Sequence, residues 1–263
     1  MGALSGKVCV VTGASRGIGK GIALGLGEAG ATVYVTGRTV EEGAAPLPGT
    51  IGATAAEVDR RGGKGIAVRV DHGNDEEIVA LFEKVREEQG GLDILINNVF
   101  KVPDNPVWQG DFWSHPISIW DDMVGIGLRS HYVASHEAVP LMLGREGGMI
   151  INVSSRGGAG YTFSVAYGVG KAGVDRLARD MAVELEPHGI ACFSLWPSAV
   201  KTEFILEQVA KGEAALDLSR AQSPVLSGRA VVALAADPAR MERTGEILKV
   251  ADLKAQYGLV DEE

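Results

Sequence analysis

The sequence predicts an α/β fold with three layers: a seven-stranded parallel sheet with helices on both faces. Two observations carry this prediction. Short apolar runs alternate along the chain with longer stretches whose apolar residues recur at helical spacing. The first run, KVCVVT, leads into a glycine-rich turn and then a helical stretch, KGIALGLGEAG. Strands that alternate with helices pair in parallel, and their crossover helices cover both faces of the sheet.

The elements follow this alternation in order. Strands are expected near 7–12, 31–36, 64–70, 92–96, 148–153, 189–195 and 246–250. Helices are expected near 17–29, 50–62, 74–90, 117–144, 166–187 and 226–236. Two intervals break the pattern: an insertion with prolines and tryptophans at 99–116, and a candidate substrate lid at about 201–223. Both follow carboxyl ends of strands, where open α/β sheets bind ligands.

Composition bounds the domain count and the partners. A chain of 263 residues with 46% apolar content can bury one large core, so residues 1–263 are expected to form a single domain. A net charge of −9 argues against nucleic acid or an anionic membrane as a partner. No charged-then-apolar leader and no apolar run of membrane-spanning length occurs, so we expect a soluble, cytoplasmic protein.

The cysteines and histidines indicate neither a disulfide nor a metal site. Cys9 lies in the first predicted strand and Cys192 in the sixth. If the sheet order is 3-2-1-4-5-6-7, these strands are about 14 Å apart, beyond the ~7 Å that a disulfide allows. Two free thiols suit a reducing compartment. The five histidines show no ligand spacing, so we expect no catalytic metal.

The turn after the first strand is suited to binding a phosphate. Its glycines, Gly13, Gly17 and Gly19, have a G-x-x-x-G-x-G spacing. Glycines permit a tight turn and close backbone approach, and the helix that follows offers free N–H groups and a positive dipole end to a pyrophosphate. Such turns also occur as plain connections, so this motif alone is only moderately specific.

A second motif suits acid–base chemistry. Tyr167 and Lys171 are four residues apart in a helical pattern, so their side chains share one face. A neighbouring ammonium favours the phenolate, and we expect it to bring the tyrosine pKa toward neutral pH. Ser155 stands twelve residues before Tyr167, at the end of the apolar run MIINVSS. A strand end at this place can bring its hydroxyl beside the phenol.

Together these motifs resemble the short-chain dehydrogenase/reductase family over nearly the whole chain. The shared features are TGASRGIG at 12–19, the pair Asn97 and Asn98, Ser155, Tyr167 with Lys171, and Pro197 with Thr202. The resemblance implies a Rossmann fold and an oxidoreductase with a nicotinamide cofactor. It also implies catalytic roles for Ser155, Tyr167 and Lys171. Ser154, at the thirteen-residue interval common in the family, is the rival for the serine role, but the local pattern Ser155-x-x-Gly158 favours Ser155.

The cofactor is expected to be NADP(H). Gly37 stands where a carboxylate would bind the ribose hydroxyls of NAD(H), and Arg38 follows it. Arg16 lies inside the glycine turn. Two guanidinium groups aimed at one corner suit a 2′-phosphate. The alternative is that Arg38 is a solvated surface residue.

The resemblance implies further cofactor contacts by position, while Asn97 is expected to be a structural clamp on the sheet. The full expected set is Gly13, Ser15, Arg16, Gly17, Ile18, Gly19, Arg38, Asp71, Asn98, Val99, Tyr167, Lys171, Pro197, Val200 and Thr202.

The chain departs from the family pattern in three places. Val99 and Phe100 replace an Ala-Gly pair, which makes the floor of the cofactor cleft bulkier. Gly127 stands where the family's fourth catalytic residue, an asparagine, is expected; His131, one turn on, is expected to be a packed or surface residue rather than a relay. The C-terminal stretch ADLKAQYGLVDEE replaces an Asp-Gly-Gly ending and puts family-typical tetramer contacts in doubt.

Aromatic residues near the expected cleft favour an apolar ketone or aldehyde as substrate. The substrate candidates are Trp108, Trp113, Tyr161 and Phe204. Packing of the insertion onto the body is an equal explanation for the two tryptophans. Two other functions stay open: a 3-oxoacyl carrier-protein reductase, which would need basic residues near the cleft beyond Lys101, Arg156 and Lys201, and a catalytically idle NADP(H)-binding protein.

Surplus apolar residues on the helices at 117–144 and 166–187 predict a homodimer, with a homotetramer as the alternative. The residues that indicate it are Val124, Ile126, Tyr132, Val133, Val174, Leu177 and Met181.

Overall fold

A parallel sheet forms the centre of the protein. The computed structural model describes residues 2–103, 110–214 and 216–261. Within these residues seven strands pair in the order β3-β2-β1-β4-β5-β6-β7, all in parallel. The strands are β1 (Val8–Val11), β2 (Thr32–Gly37), β3 (Lys64–Arg69), β4 (Ile94–Asn97), β5 (Met149–Val153), β6 (Ala191–Trp196) and β7 (Ile247–Lys249). The predicted fold class is confirmed, and the strand order is the one assumed in the argument about the cysteines.

Helices cover both faces of the sheet. They are α1 (Gly17–Glu28), α2 (Ile51–Arg60), α3 (Asp75–Gln89), α4 (Ser118–Trp120), α5 (Ser130–Met142), α6 (Val165–Leu185), α7 (Glu203–Ala210), α8 (Pro224–Ala236) and α9 (Val250–Tyr257). Alternate strand residues supply the two cores: Cys9 and Val11 face the cluster under α1 and α8, while Val8 and Val10 face the cluster under α3, α5 and α6. This alternation produces the three layers.

The structure differs from the predicted elements in the fourth helix and in the lid. The predicted helix at 117–144 is divided, because a π-helix (Asp121–Arg129) joins α4 to α5. Gly125 and Gly127 lie within this π-helix, and glycine is a poor former of regular helix. The predicted lid interval contains α7, whose first turn is capped by the Thr202 hydroxyl, and its base is tied by a bridge between Val200 and Gln222.

The C-terminal segment also forms a helix, α9, and then turns onto the body of the protein. Asp261 Oδ1 accepts hydrogen bonds from the backbone N and the hydroxyl of Ser223, at 3.1 and 2.7 Å. The Arg229 guanidinium donates to the carbonyl of Val260. The segment is therefore anchored at the start of α8.

Cys9 and Cys192 are buried free thiols on β1 and β6, three strand positions apart in the sheet order. This spacing agrees with the predicted separation. Across the described ranges, no helix has the length and apolar character needed to cross a membrane.

Candidate active site

The glycine turn between β1 and α1 packs against the end of β4. Gly13 has a left-handed φ of 64°, and a Cβ placed there would lie 2.8 Å from Val99 Cα. A Cβ at Gly19 would lie 2.4 Å from Asn98 Nδ2. The Asn98 amide donates to the carbonyls of Thr12 and Gly13, each at 2.9 Å. Only glycine fits these positions, so the predicted turn is a shaped cradle.

A carboxylate that sequence reasoning missed lies at the start of α1. Gly17 N donates to Glu203 Oε2 at 2.7 Å. Arg16, the N-cap residue of α1, makes no side-chain cap, and the first turn of α1 has no acidic residue. Glu203 therefore supplies the negative charge that a helix N-terminus favours. Thr202 comes to the same place, since its Cγ2 is 3.4 Å from the position of a Cβ on Gly17.

Arg16 is held by the loop that follows β2. Its Nε donates to the carbonyl of Pro48 at 3.0 Å. Its Nη2 donates to the carbonyl of Gly49 at 2.9 Å and to Thr39 Oγ1 at 3.2 Å. Burial lowers the Arg16 pKa, while the carboxylates of Glu203 and Glu42 oppose this shift. The bond to Thr39 holds the Arg16 guanidinium next to the residue that follows Arg38.

Arg38 borders this corner from the end of β2. Its side chain is 56% exposed, and its Nη1 lies 3.9 Å from Asp71 Oδ2. The neighbouring Gly37 is enclosed, because a Cβ there would be 3.2 Å from Ile51 Cγ2 and 3.9 Å from Ser15 Oγ. The position where a ribose-binding carboxylate would stand has little room for one.

Ser155 and Tyr167 meet at the carboxyl end of β5. Ser155 Oγ and the Tyr167 hydroxyl form a hydrogen bond at 2.8 Å. Ser154 lies apart from this pair: its buried hydroxyl donates to the Lys171 carbonyl at 3.1 Å. The close approach depends on Gly157, where a Cβ would lie 2.5 Å from Tyr167 Cε1. The geometry thus brings Ser155, rather than Ser154, to the phenol.

Lys171 lies below the Tyr167 ring. Its side chain donates from Nζ to the carbonyl of Val153 at 3.2 Å, and the residue is 8% exposed. Burial lowers the Lys171 pKa to about 8, and Asp175 opposes this shift. Burial raises the Tyr167 pKa, and the hydrogen bond with Ser155 opposes that shift. The expectation that Lys171 would lower the Tyr167 pKa is not met, because Nζ is 5.9 Å from the ring centroid and turned to Val153.

Asp175 is another residue that sequence reasoning missed. Its Oδ1 accepts from Ser194 Oγ at 2.6 Å and from Trp196 Nε1 at 2.9 Å. These bonds fix α6 to the end of β6, immediately before Pro197. The spacing of Tyr167, Lys171 and Asp175 at four-residue intervals was the available signal, since such residues share a helix face.

Asn97 is a structural clamp, as expected. Its Nδ2 lies within hydrogen-bond distance of the His131 carbonyl, Ser135 Oγ and Asn152 Oδ1. His131 is buried, and its Nε2 pairs with the Val99 carbonyl at 3.1 Å. Burial lowers the His131 pKa to about 3, so the ring is neutral.

Two aromatic rings contact the phenol: Phe163, one of the loop aromatics expected at the edge of the active site, and Phe100, which was not expected there. Phe100 and Phe163 contact the Tyr167 ring edge to face, at centroid distances of 5.9 and 5.1 Å. Trp113 and Tyr161 are 72% and 75% exposed. Phe204 lies half-buried in the first turn of α7. Trp108 lies outside the described residues.

The remaining expected cofactor residues lie along the same edge of the sheet. Pro197 follows β6, and Val200 is buried at the base of the lid interval. Ile18, in the first turn of α1, packs against the core. Among the described histidine, cysteine, aspartate and glutamate residues, no group of three gathers as a metal site would require.

Comparison with known proteins identifies the family. A family model described as short chain dehydrogenase matches residues 7–212. The chain belongs to the short-chain dehydrogenase family. It is 45% identical to mouse (Mus musculus) dehydrogenase/reductase SDR family member 1 over an alignment 270 positions long, which covers 98% of this chain and 84% of the relative. It is 32% identical to a 3beta-hydroxysteroid dehydrogenase of Mediterraneibacter gnavus over 203 residues, covering 77% and 69% of the two chains.

Solved structures of short-chain dehydrogenases share the fold. One from Mycobacterium thermoresistibile is 29% identical with a TM-score of 0.83, covering 97% of this chain and 89% of that one. A 3-oxoacyl-[acyl-carrier protein] reductase from Brucella melitensis, in complex with NAD, is 25% identical with a TM-score of 0.80, covering 93% and 95%. Membership of this oxidoreductase family implies a nicotinamide nucleotide cofactor, and the cradle at Gly13, Gly17 and Gly19 fits one.

Proposed function

We propose that this chain is an NADP(H)-dependent oxidoreductase that interconverts an apolar ketone or aldehyde and its alcohol. One observation carries the proposal: the 2.8 Å hydrogen bond between Ser155 and Tyr167, formed beside a buried Lys171. These groups follow β5 and begin α6, at the edge of the sheet that also holds the glycine turn.

The geometry supports a division of roles in the reductive direction. When bound, the nicotinamide cofactor supplies the hydride that adds to the carbonyl carbon. Tyr167 transfers its phenolic proton to the carbonyl oxygen, and Ser155 donates a hydrogen bond to that oxygen as negative charge develops on it. Lys171 would hold the nicotinamide ribose beside Tyr167 when the cofactor is bound. In the oxidative direction Tyr167 takes the proton back from the alcohol.

Several features support NADP(H) over NAD(H). Arg38 has an exposed side chain that can donate paired hydrogen bonds to a phosphate. Arg16 is held beside it through Thr39, Pro48 and Gly49 by its Nε and Nη2, and its Nη1 can add a donor. The crowded Gly37 leaves little room for the carboxylate that would bind a free ribose hydroxyl. Equilibrium titration of the protein with NADPH and with NADH tests this choice. Equal affinities would contradict it.

The surroundings of Tyr167 support an apolar substrate. Phe100 and Phe163 contact its ring, and Trp113 and Tyr161 offer exposed aromatic surface on the loops before α4 and α6. The 3beta-hydroxysteroid dehydrogenase among the relatives has an apolar substrate by its name. A panel of ketones and aldehydes, assayed by NADPH oxidation, is the experiment that tests this function. Turnover restricted to charged substrates would contradict it.

The carrier-protein alternative has less support. An acidic carrier would need a basic surface at the cleft, yet Lys101 is paired with Asp122 at 2.9 Å and the chain carries a net charge of −9. The idle-protein alternative is disfavoured by the intact grouping of Ser155, Tyr167 and Lys171. Reduction of an acyl-carrier substrate in preference to every free ketone would favour the carrier-protein reductase.

We propose that the enzyme is a cytoplasmic homodimer, built through α5 and α6, with a homotetramer as the larger alternative. Tyr132 on α5 and Val169 and Val183 on α6 are exposed, at 55%, 44% and 69%. Val174 is fully buried in the monomer core, so it cannot contribute surplus surface as expected. Two buried free thiols suit a reducing compartment. Sedimentation at micromolar concentration tests the assembly, and a monomer there would contradict it.

A further inference from the structure

Two departures from the family pattern meet in space. Phe100 follows the Asn97–Asn98–Val99 segment at the end of β4, and Gly127 lies in the π-helix. They are 27 positions apart in the sequence. A Cβ placed on the buried Gly127 would lie 3.3 Å from Cδ2 and 3.7 Å from Cε2 of Phe100. A longer side chain at 127 would therefore compete with the ring for the same space.

The Phe100 ring, for which Gly127 leaves room, lies against Lys171 and Tyr167. The Lys171 Nζ is 5.0 Å from the centroid of Phe100, within the range of a cation–π interaction. The Phe100 ring also contacts the Tyr167 ring edge to face, with an interplanar angle of 88°. One aromatic side chain thus touches both groups that the proposed reaction uses.

The other groups that face Lys171 do not replace this contact. On its own helix, Tyr167 is a neutral phenol whose pKa burial raises, and Asp175 raises the Lys171 pKa from the opposite turn. From α5, His131 is neutral, since burial lowers its pKa to about 3. From β5, the Val153 carbonyl accepts from Nζ. Phe100, in the segment that follows β4, contributes the apolar contact to Lys171 Nζ.

We propose that Phe100 is a positioning residue, seated on Gly127, which covers the Lys171 ammonium from water and holds it beside Tyr167. The proposal deepens the proposed reductase function and rests on it for the catalytic role of Lys171. The ring acts in two opposite ways. As an apolar body it excludes water from the ammonium, which disfavours the charged form. As a π-system it attracts the cation, which favours the charged form.

These two actions can be separated by substitution. Phe100→Ala removes both cover and ring, so water reaches Nζ and the Lys171 pKa rises toward its ordinary value, by about one pH unit. Phe100→Leu keeps an apolar cover but removes the π-system, so the Lys171 pKa stays at its wild-type value or falls below it. Gly127→Ala crowds the ring and changes the pKa in the same direction as Phe100→Ala.

The measurement uses the full chain without substrate. Competitive acetylation by acetic anhydride is followed over a pH series, and the Lys171 peptide is quantified by mass spectrometry. The pH midpoint reports the pKa and is independent of how accessible the amine is. Phe163→Ala is the matched control, because it removes the other ring on Tyr167, and its Lys171 midpoint should equal that of the wild type. Circular dichroism confirms that each variant is folded.

The outcomes separate this proposal from the proposed function. A raised midpoint in Phe100→Ala with no rise in Phe100→Leu supports the proposal, even if no ketone in the panel is reduced. Midpoints for both Phe100 variants equal to that of the wild type overturn it, even if the protein proves to be a fast reductase. An equal rise of the Lys171 midpoint in Phe163→Ala also overturns it, because the effect would then not be specific to the contact between Phe100 and Lys171.

Discussion

The two ends of the candidate site hold their charged groups in different ways. At the catalytic end, Lys171 is buried, and hydrogen bonds at 3.2 and 2.8 Å fix Lys171 to Val153 and Ser155 to Tyr167. At the opposite end, the Arg38 side chain is 56% exposed, and its contact with Asp71 is 3.9 Å long. Packing determines position at the first end, whereas long-range charge acts at the second.

This contrast has a functional meaning. A substitution at the buried end displaces groups that must meet one reacting atom, so we expect it to change the rate of the chemistry. We expect a substitution at the exposed end to change which cofactor is preferred and to leave the chemistry intact. The next three predictions are given in order of decreasing expected effect, and the first two test this division.

The two adjacent serines give the first test, at the buried end. Ser155→Ala removes a hydrogen bond to the developing oxyanion, so we expect turnover to fall about 100- to 1000-fold. Ser154→Ala removes a buried hydrogen bond to the Lys171 carbonyl, which should lower the free energy of unfolding by about 1 kcal/mol and reduce turnover far less. Steady-state kinetics and urea unfolding of both variants check this. A larger loss of turnover in Ser154→Ala would give the catalytic role to Ser154.

The exposed end is tested by Arg38→Asp. Repulsion of the 2′-phosphate and a new acceptor for the ribose hydroxyl should weaken NADPH binding about 10- to 100-fold and favour NADH. Because Arg38 is exposed, added salt should reduce the preference of the wild type for NADPH. Arg60→Asp, an exposed charge change at the end of α2, is the control for net charge. An unchanged ratio of the two affinities in Arg38→Asp would remove Arg38 from the cofactor site.

The smallest expected effect concerns two buried histidines, which make the free energy of unfolding depend on pH. Burial lowers the pKa of His72 to about 4 and that of His131 to about 3. In the unfolded chain a histidine has a pKa of about 6.5, so below this pH it binds a proton that the buried, folded histidine does not bind. The free energy of unfolding therefore decreases as the pH falls from about 6.5 to about 4.

The expected loss is on the order of 1 kcal/mol per histidine for each pH unit in this window. Urea unfolding near neutral pH and one unit below the unfolded pKa measures it. His72→Asn should make the decline shallower, whereas His136→Gln, at an exposed position, should not. An equal decline in the His72 variant and the wild type would contradict this origin.

The fold and the grouping of residues in the candidate site were predictable because their signals are local. Apolar runs and helical periodicity predicted the strands and helices, and the four-residue spacing of Tyr167 and Lys171 predicted their shared helix face. The glycines at 13 and 19 could be recognised as part of a phosphate-binding turn because a tight turn between a strand and a helix requires glycine. Ser155 was distinguished from Ser154 by its local pattern, and the structure gives it the contact with Tyr167.

The features of the site that could not be predicted from the sequence are contacts between segments far apart in the chain. Glu203 binds the N–H of Gly17 across 186 positions, and no local pattern pairs them. Phe100 and Gly127 were each noticed as departures, but only their packing shows that one makes room for the other. Val174 shows the converse error: its place on an amphipathic helix suggested surface, whereas the core encloses it.

The central claim is that Tyr167 transfers the proton while the rest of the site holds the cofactor and the oxygen. It is tested most directly by measuring NADPH affinity and NADPH-dependent ketone reduction on the same preparations of wild type, Tyr167→Phe and Lys171→Ala. In Tyr167→Phe, turnover should fall about 1000-fold or more with NADPH affinity nearly unchanged, since only the acid is lost. In Lys171→Ala, both should fall. Turnover of Tyr167→Phe within tenfold of the wild type, or an equal loss of NADPH affinity in the two variants, would contradict the claim.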